Sequence, residues 1–297
     1  MRSGFIGLVG RPNVGKSTLL NAIIGKKVAI TSDKPQTTRN IIEGIRTDED
    51  TQMVFVDTPG IHKPQNRLGK ILNKQAYFTV NDVDVILFLV DITEKLGKGD
   101  MFVIDILKNV NIPVILVINK IDKLPKEEIL KKIDEYKDLY NFDEIVPISA
   151  YKHDNIDRLI EVLKSKLTDN IKYYDEDMYT DKPVNFMVGE LIREKILDLT
   201  HEEVPHSVSV VVEQMDYKKD AVDIKATIIV DRENLKKILV GKNGNMIKEI
   251  GTRARLDIEP LLNKNVYLEL FVKVIPRWRD REKFLNEIGF KEFNFDK

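Results

Sequence analysis

Residues 10–17 read Gly-Arg-Pro-Asn-Val-Gly-Lys-Ser and follow the apolar run Phe5-Ile6-Gly7-Leu8-Val9. No other stretch constrains the fold as tightly. A short buried strand that enters a helix through glycines and a Lys-Ser pair is built to wrap a polyphosphate. Gly10 and Gly15 let the main chain curl, so that the N–H groups of the loop point inward at the anion. The predicted cradle comprises Gly10, Arg11, Pro12, Asn13, Val14, Gly15, Lys16, Ser17 and Thr18. Lys16 adds positive charge at the β- and γ-phosphates, and the Ser17 hydroxyl is a ligand for Mg²⁺. The competing reading is a glycine-rich turn that binds nothing, and the remaining motifs weigh against it.

A second apolar strand, Val54-Phe55-Val56, ends in Asp57-Thr58-Pro59-Gly60. Asp57 stands where a carboxylate holds Mg²⁺ through water, and the Gly60 N–H reaches toward a γ-phosphate. A third apolar run, residues 114–118, ends in Asn119-Lys120-Ile121-Asp122. The Asp122 carboxylate accepts two hydrogen bonds, which fits the N1–H and N2–H₂ edge of guanine. Adenine presents an acceptor at N1 and leaves that carboxylate unpaired, an error worth about 10⁴-fold. Asn119 bonds guanine N7, and the Lys120 stem covers the base. A fourth run, residues 145–148, leads into Ser149-Ala150, whose backbone donates to O6. Each motif lies at the C-terminal end of a strand, where open α/β sheets bind their ligands.

Periodicity predicts strands at 4–9, 41–47, 51–57, 83–91, 113–119 and 144–148, and helices at 17–24, 67–80, 100–109, 126–140 and 155–167. The alternation implies an α/β domain with a mostly parallel sheet. Residues 1–171 are therefore read as a GTP-binding domain, similar to the translation-factor-related GTPases. Binding of GTP without turnover is the alternative.

Composition excludes several classes. The chain has 297 residues, 42% hydrophobic and 32% charged, enough for two domains. Its net charge of −1 means that any affinity for nucleic acid comes from a local patch. There is no Cys, so disulfides and thiol chemistry are excluded. Met1-Arg2-Ser3 runs directly into the first strand, and the apolar run at 85–90 is too short to span a bilayer. A cytoplasmic protein is expected. The Lys-rich stretch 123–137 alternates with Glu127, Glu128, Asp134 and Glu135 and reads as a solvated helix face.

Beyond residue 171 the pattern changes. Residues 172–185 begin polar and aperiodic and are read as a linker, leaving 186–297 as a second domain. There the order is helix, strand, strand, helix, Gly241-Lys242-Asn243-Gly244, helix, strand. Alone, Gly-x-x-Gly is more often a helix-to-helix turn with a left-handed glycine cap. In this order it resembles the bacterial type of KH domain, an α+β type II KH fold, in which the loop clamps the backbone of a single strand. Lys236, Lys237, Lys242, Lys248, Arg253 and Arg255 surround it, with Asn243 within it. Ile238, Val240 and Ile247 either floor a groove for bases or form plain core. Trp278 stacks on a base or caps the core. His62, His153, His201 and His206 show no metal-ligand spacing.

One GTPase domain followed by one KH-like domain resembles the Era family, GTPases of small-ribosomal-subunit assembly. The carrying residues are the Gly10–Ser17 loop, Ile30-Thr31-Ser32, Pro35-Gln36-Thr37-Thr38-Arg39, and Ile192-Arg193-Glu194-Lys195. Tyr151-Lys152-His153 departs from the Gly-containing turn that usually follows Ser-Ala. The resemblance implies a first switch at 31–39 and a second at 60–70, with Thr38, or its neighbour Thr37, closing on Mg²⁺. It implies the 3′ end of small-subunit rRNA as ligand, the small subunit as partner and a monomeric chain. It also implies that Asn13 goes with a K⁺ ion beside the phosphates. That ion fills a gap, because Ile61 stands where signalling GTPases place a water-orienting Gln. Arg11 and Arg39 are candidate fingers, but each reads better as a loop tether. Alternatives are a GTP-gated RNA-binding module with negligible turnover, and a GTPase working with protein or membrane partners.

Overall fold

The computed structural model describes residues 1–34, 36–61 and 64–290. Pro35, His62, Lys63 and residues 291–297, which the sequence reading assigns to the switches and the second domain, lie outside the described residues.

The first half forms a six-stranded sheet: β1 (Arg2–Gly10), β2 (Ile42–Thr47), β3 (Thr51–Asp57), β4 (Val85–Asp91), β5 (Val114–Asn119) and β6 (Glu144–Pro147), in the order β2-β3-β1-β4-β5-β6. Only β2 runs antiparallel, against β3. β3, β4 and β5 are buried along their whole length, as strands covered on both faces by helices must be. The helices are α1 (Lys16–Ile24), α2 (Arg67–Asn81), α3 (Lys98–Leu107), α4 (Lys126–Tyr136) and α5 (Ile156–Lys166). The parallel order brings the ends of β1, β3, β5 and β6 to one edge, and with them all four motifs.

The second half holds a three-stranded sheet of β7 (Ser209–Tyr217), β8 (Ala221–Val230) and β9 (Asn265–Val274), with β8 central and parallel to β9. One face is covered by α6 (Val184–Leu199), α8 (Glu233–Val240) and α9 (Asn245–Leu262), through Ile192, Ile196, Leu239 and Ile250. The short α7 (Val204–Ser207) joins α6 to β7, and α10 (Glu282–Glu287) closes the described chain. These two helices escape the sequence reading because one or two turns show no period. The fold class is as expected, an α/β GTPase domain followed by a type II KH domain.

Two sequence readings gain detail. The stretch read as a polar linker lies against the first sheet: the Tyr173 and Tyr174 N–H groups both donate to Gln52 Oε1, at 2.8 and 2.9 Å. The Tyr179 carbonyl accepts from Ile45 N–H at 3.0 Å, and the Tyr173 ring meets Phe5 edge-on at 4.8 Å. The segment reads as a polar linker, and its tyrosines dock it on the sheet. Trp278 is fully buried, its indole N–H donating to the Ser207 carbonyl at 2.9 Å, so it cannot stack on a base. It packs with Ile229 and Leu285 against Leu68, Ile71 and Leu72 of α2, one apolar cluster shared by the two domains. Among the described residues, no helix is long and apolar enough to cross a membrane.

Candidate nucleotide site and nucleic-acid interface

The loop between β1 and α1 has the shape its glycines permit. Gly15 adopts φ 99°, and a Cβ there would stand 2.3 Å from Asn119 Nδ2. Only glycine allows the phosphate loop to close against the base-recognition strand. Lys16, at the head of α1, is buried, and its Nζ donates to the Gly10 and Arg11 carbonyls at 3.2 and 3.0 Å. Burial pulls its pKa down to about 8, with the Asp57 carboxylate opposing. An ammonium curled back onto its own loop and short of counter-charge suits an arriving polyphosphate.

Three oxygens converge beside it. Ser17 Oγ donates to Asp57 Oδ2 at 2.6 Å and lies 2.8 Å from Thr38 Oγ1, which itself donates to Asp57 Oδ2 at 3.3 Å. Asp57 is buried, and burial raises its pKa against the pull of Lys16, Ser17 and Thr38. Its Oδ1 has no hydrogen-bond partner. A buried carboxylate oxygen without a donor, next to two hydroxyls, fits a hard divalent cation completed by phosphate and water. Thr37 is turned away: its hydroxyl donates to the Lys34 carbonyl at 2.6 Å. Of the adjacent threonines, Thr38 is the one whose hydroxyl reaches Ser17 and Asp57.

The remaining loop residues divide. Asn13 takes φ 65° and its Nδ2 donates to the Asp33 carbonyl at 2.6 Å, tying the phosphate loop to the first switch. Arg11 pairs with Asp100 at 3.0 Å, and Arg39 is buried with its guanidinium on carbonyls of the second domain. Both arginines are tethers. Ile61 is 4% exposed and packs in the core with Val9 and Val56, so it orients no water. A Cβ on Gly60 would lie 2.9 Å from the Pro12 backbone, which shows how closely the β3 loop approaches the phosphate loop. Residues 11–18, with Thr38 and Gly60, line a cleft of about 980 Å³, whereas Arg39 and Ile61 lie outside it.

At the base end, Asn119 braces the pocket. Its Nδ2 donates to the Val14 carbonyl at 2.9 Å, and its Oδ1 accepts from the Lys120 and Ala150 N–H groups at 2.8 and 3.0 Å. Lys120 Nζ reaches back to the Asn13 carbonyl at 2.8 Å and pairs with Asp91, drawing its stem across the mouth. Asp122 Oδ1 accepts from the Ser149 hydroxyl. The Ser149 N–H donates to the Asp154 carbonyl at 3.1 Å. The backbone donors expected for O6 are thus already engaged, and a guanine carbonyl would share the Ala150 N–H with Asn119. Tyr151, 73% exposed, also lines the cleft. Sequence reasoning missed Asp91 and Tyr151 as cleft residues, since neither belongs to a motif.

In the second domain, Gly241 (φ 71°) and Gly244 (φ 76°) flank exposed Lys242 and Asn243 between α8 and α9. A Cβ on Gly241 would fall 2.7 Å from Met246 Cβ. Directly after the loop, a groove of about 320 Å³ runs between α9 and β9, lined by Ile247, Lys248, Arg255, Tyr267 and Leu270. Lys248 and Arg255 line it. Lys236, Lys237 and Arg253 do not, and Arg253 instead pairs with Glu249 at 2.7 Å. Among the described residues no cluster of His, Cys, Asp or Glu could hold a metal. His153 and His201 are exposed, and His206 is half-buried with a pKa lowered by burial, Arg39 and Arg279.

Residues 5–120 match the 50S ribosome-binding GTPase family and residues 203–279 match the KH domain family. The chain is 43% identical to an Aquifex aeolicus Era variant bound to GDP·AlF4⁻, covering 98% of this chain and 99% of that one, with a TM-score of 0.94. It is 43% identical, over the same shares, to Era in complex with MgGDPNP and nucleotides 1506–1542 of 16S ribosomal RNA, with a TM-score of 0.95. The chain belongs to the Era family. The two Era structures share its order of a GTPase domain followed by a KH domain, and the similarity runs through both. In this Era-family chain ion pairs bridge the two domains: Asp257, on the α9 helix that borders the groove, accepts from Lys27 at 3.1 Å, and Lys27 also pairs with Glu194 of α6.

Proposed function

We propose that this chain hydrolyses GTP and uses the cycle to gate its hold on single-stranded RNA, the 3′ end of small-subunit rRNA, during assembly of the small ribosomal subunit. The observation that carries the reading is the convergence of Lys16, Ser17, Thr38 and Asp57 at one end of a cleft whose other end is framed by Asn119, Lys120 and Asp122. A related Era holds MgGDPNP and 16S rRNA nucleotides, which supports both ligands.

In this reading residues 1–171 carry the nucleotide, 172–185 connect and 186–297 carry the RNA. Loop N–H groups of residues 10–18 and Lys16 bind the phosphates, and Asp122 reads guanine. Ser17, Thr38 and Asp57 hold Mg²⁺, which supplies positive charge against the developing negative charge on the phosphates. The Gly60 N–H meets the γ-phosphate when the second switch closes. Ile61 is buried and both arginines are tethers, so neither water orientation nor a finger charge comes from them. Asn13, at the junction of phosphate loop and first switch, fits a K⁺ ion in the finger's place, where such a charge is worth about 10³–10⁵ in rate, or roughly 4–7 kcal/mol. Exposed Lys242 and Asn243 bring donors to an RNA backbone, and Lys248 and Arg255 extend the positive surface along the groove. A monomer acting in the cytoplasm is the simplest setting for this role.

The burial of Ile61 favours one second reading, a GTP-gated RNA-binding module with negligible turnover. Steady-state phosphate release, measured with and without K⁺ and RNA, separates the two. Crosslinking in cells, with sequencing of the bound RNA and mapping to Lys242, tests the ligand. Crosslinks to protein or lipid alone would point to an adaptor at a membrane.

A further inference from the structure

The threonine at the metal end of the cleft is held from both sides by the other domain. Thr38 lies between Thr37, whose carbonyl accepts from Arg193 Nη2, and Arg39, whose guanidinium donates to the Val208 carbonyl and, at 2.9 Å, to the Pro205 carbonyl. Arg193 is 2% exposed and is clamped in its fork by Glu190, which accepts from Nε at 2.8 Å and from Nη2 at 2.7 Å. Earlier in the same switch, the Thr31 N–H donates to Glu194 Oε1 at 3.0 Å. Two of these contacts hold the main chain of the first switch, at the Thr37 carbonyl and the Thr31 N–H, and two hold the Arg39 side chain; the partners sit on α6, on α7 or directly after it.

In GTPases generally, this switch is ordered by the γ-phosphate and Mg²⁺. Here an additional set of contacts favours the same placement of Thr38. The contacts also lead outward: Glu194 pairs with Lys27 and, at 3.1 Å, with Lys195, and both lysines bond Asp257 of α9, at 3.1 and 2.7 Å. The helix that lines the groove is thus two ion pairs from the switch. We infer that Arg193, oriented by Glu190 and seconded by Arg39, is a positioning residue for the metal-binding threonine, contributed to the GTP site by the RNA-binding domain. The inference rests on reading the cleft as a Mg²⁺-GTP site.

The chemistry of the clamp dictates how it fails. A planar guanidinium holds a carboxylate and a carbonyl simultaneously, whereas a lysine ammonium on a thinner stem does not reproduce the fork. Losing one hydrogen bond from a charged donor frees the Thr37 carbonyl and lets Thr38 leave Ser17 and Asp57. That loss falls on the state that uses Thr38, the triphosphate with Mg²⁺. GDP, which lacks the γ-phosphate on which the switch closes, is spared.

The test uses the full chain with Arg193→Lys, Arg193→Ala and Arg39→Lys. Dissociation constants for GDP and for a non-hydrolysable GTP analogue are measured at several Mg²⁺ concentrations, alongside kcat, KM and Tm. The expected result is an analogue affinity about tenfold weaker, a higher Mg²⁺ midpoint and a lower kcat, with GDP affinity within about twofold of the wild type. Arg193→Lys should behave like Arg193→Ala, and because it keeps the buried charge it serves as the variant that folds. A parallel loss of GDP and analogue affinity tracking Tm would reduce Arg193 to a structural residue and overturn the inference. So would an unchanged ratio in a wild-type background that binds both nucleotides. A wild-type chain that binds neither nucleotide would instead overturn the GTP-site reading, and the inference with it.

Discussion

Asp57 Oδ2 accepts the Ser17 hydroxyl at 2.6 Å while Asp57 Oδ1, equally buried, has no hydrogen-bond partner. Burying an unpaired carboxylate oxygen costs about 1–3 kcal/mol or more, a cost that a bound cation removes. The pair therefore fits one side of a divalent-cation site.

Asp57→Asn keeps the shape and removes the charge. GTP affinity in Mg²⁺ should fall at least tenfold, and the Mg²⁺ concentration needed for half-maximal binding should rise, as read by fluorescent-nucleotide titration. Binding in the presence of a chelator should change little. An unaltered Mg²⁺ midpoint would dissociate Asp57 from the metal.

Guanine recognition should rest on Asp122, whose Oδ1 is fixed by the Ser149 hydroxyl. Asp122→Asn should weaken GTP and raise affinity for xanthosine triphosphate, whose altered edge matches an amide. Competition between the two nucleotides reads the exchange, and undiminished GTP preference would move the base pocket elsewhere.

Lys16 gives a proton signature. Burial lowers its pKa from 10.5 to about 8 in the free chain, so between these values the folded state holds fewer protons than the unfolded one. Stability of the nucleotide-free chain should therefore rise with pH across that window, since the charged form is the one burial penalises. Phosphates alongside Nζ favour the ammonium again. GTP binding at about pH 9 should accordingly take up close to one proton, and at pH 7 almost none. Calorimetry in buffers of different ionisation enthalpy measures this directly, and zero uptake at the higher pH would show that Lys16 does not meet the phosphates.

Cation identity should matter to turnover. K⁺ should outperform Na⁺, because the smaller ion fits poorly in a cage built partly of backbone oxygens. Asn13→Ala should erase the difference while GTP affinity stays largely intact. Asn13 also ties its loop to Asp33. If that tether were its whole role, the variant would slow hydrolysis equally in both salts, and equal wild-type rates would dispose of K⁺ altogether.

RNA binding should centre on residues 241–244. Lys242→Asp with Asn243→Asp sets two carboxylates against the phosphates, and both positions are exposed, so fold and GTP binding should survive. Affinity for a single strand should drop by at least tenfold and its salt dependence should flatten. Normal binding by the double variant would relocate the interface to the α9–β9 groove alone.

The sequence made the nucleotide site legible because each motif ends an apolar strand, and a parallel sheet gathers strand ends. Lys16, Asp57, Asn119 and Asp122 came from the motifs, and the sheet order sets the strands that carry them together in one sheet. Thr38 and Thr37 were not separable, since the contacts that distinguish them include one from Arg193, 156 residues away from Thr37. Arg39 looked like a finger or a tether for the same reason: its acceptors are main-chain carbonyls at Pro205 and Val208, which carry no side-chain signature. Trp278 stayed ambiguous between stacking and core until α2 was seen packed against it. The docked tyrosines at 173, 174 and 179 were masked by their acidic neighbours.

The apolar cluster that joins Leu68, Ile71 and Leu72 to Ile229 and Trp278 has an evolutionary corollary. Domains joined by a bare tether can be shuffled, each bringing its own activity to a new chain. Here a transplanted KH domain would arrive with its cradle for α2 empty and with the carbonyls that receive Arg39 unmet. Change at any of these positions on one side has to be answered on the other, so the two halves are expected to be inherited as one gene segment and to diverge in step.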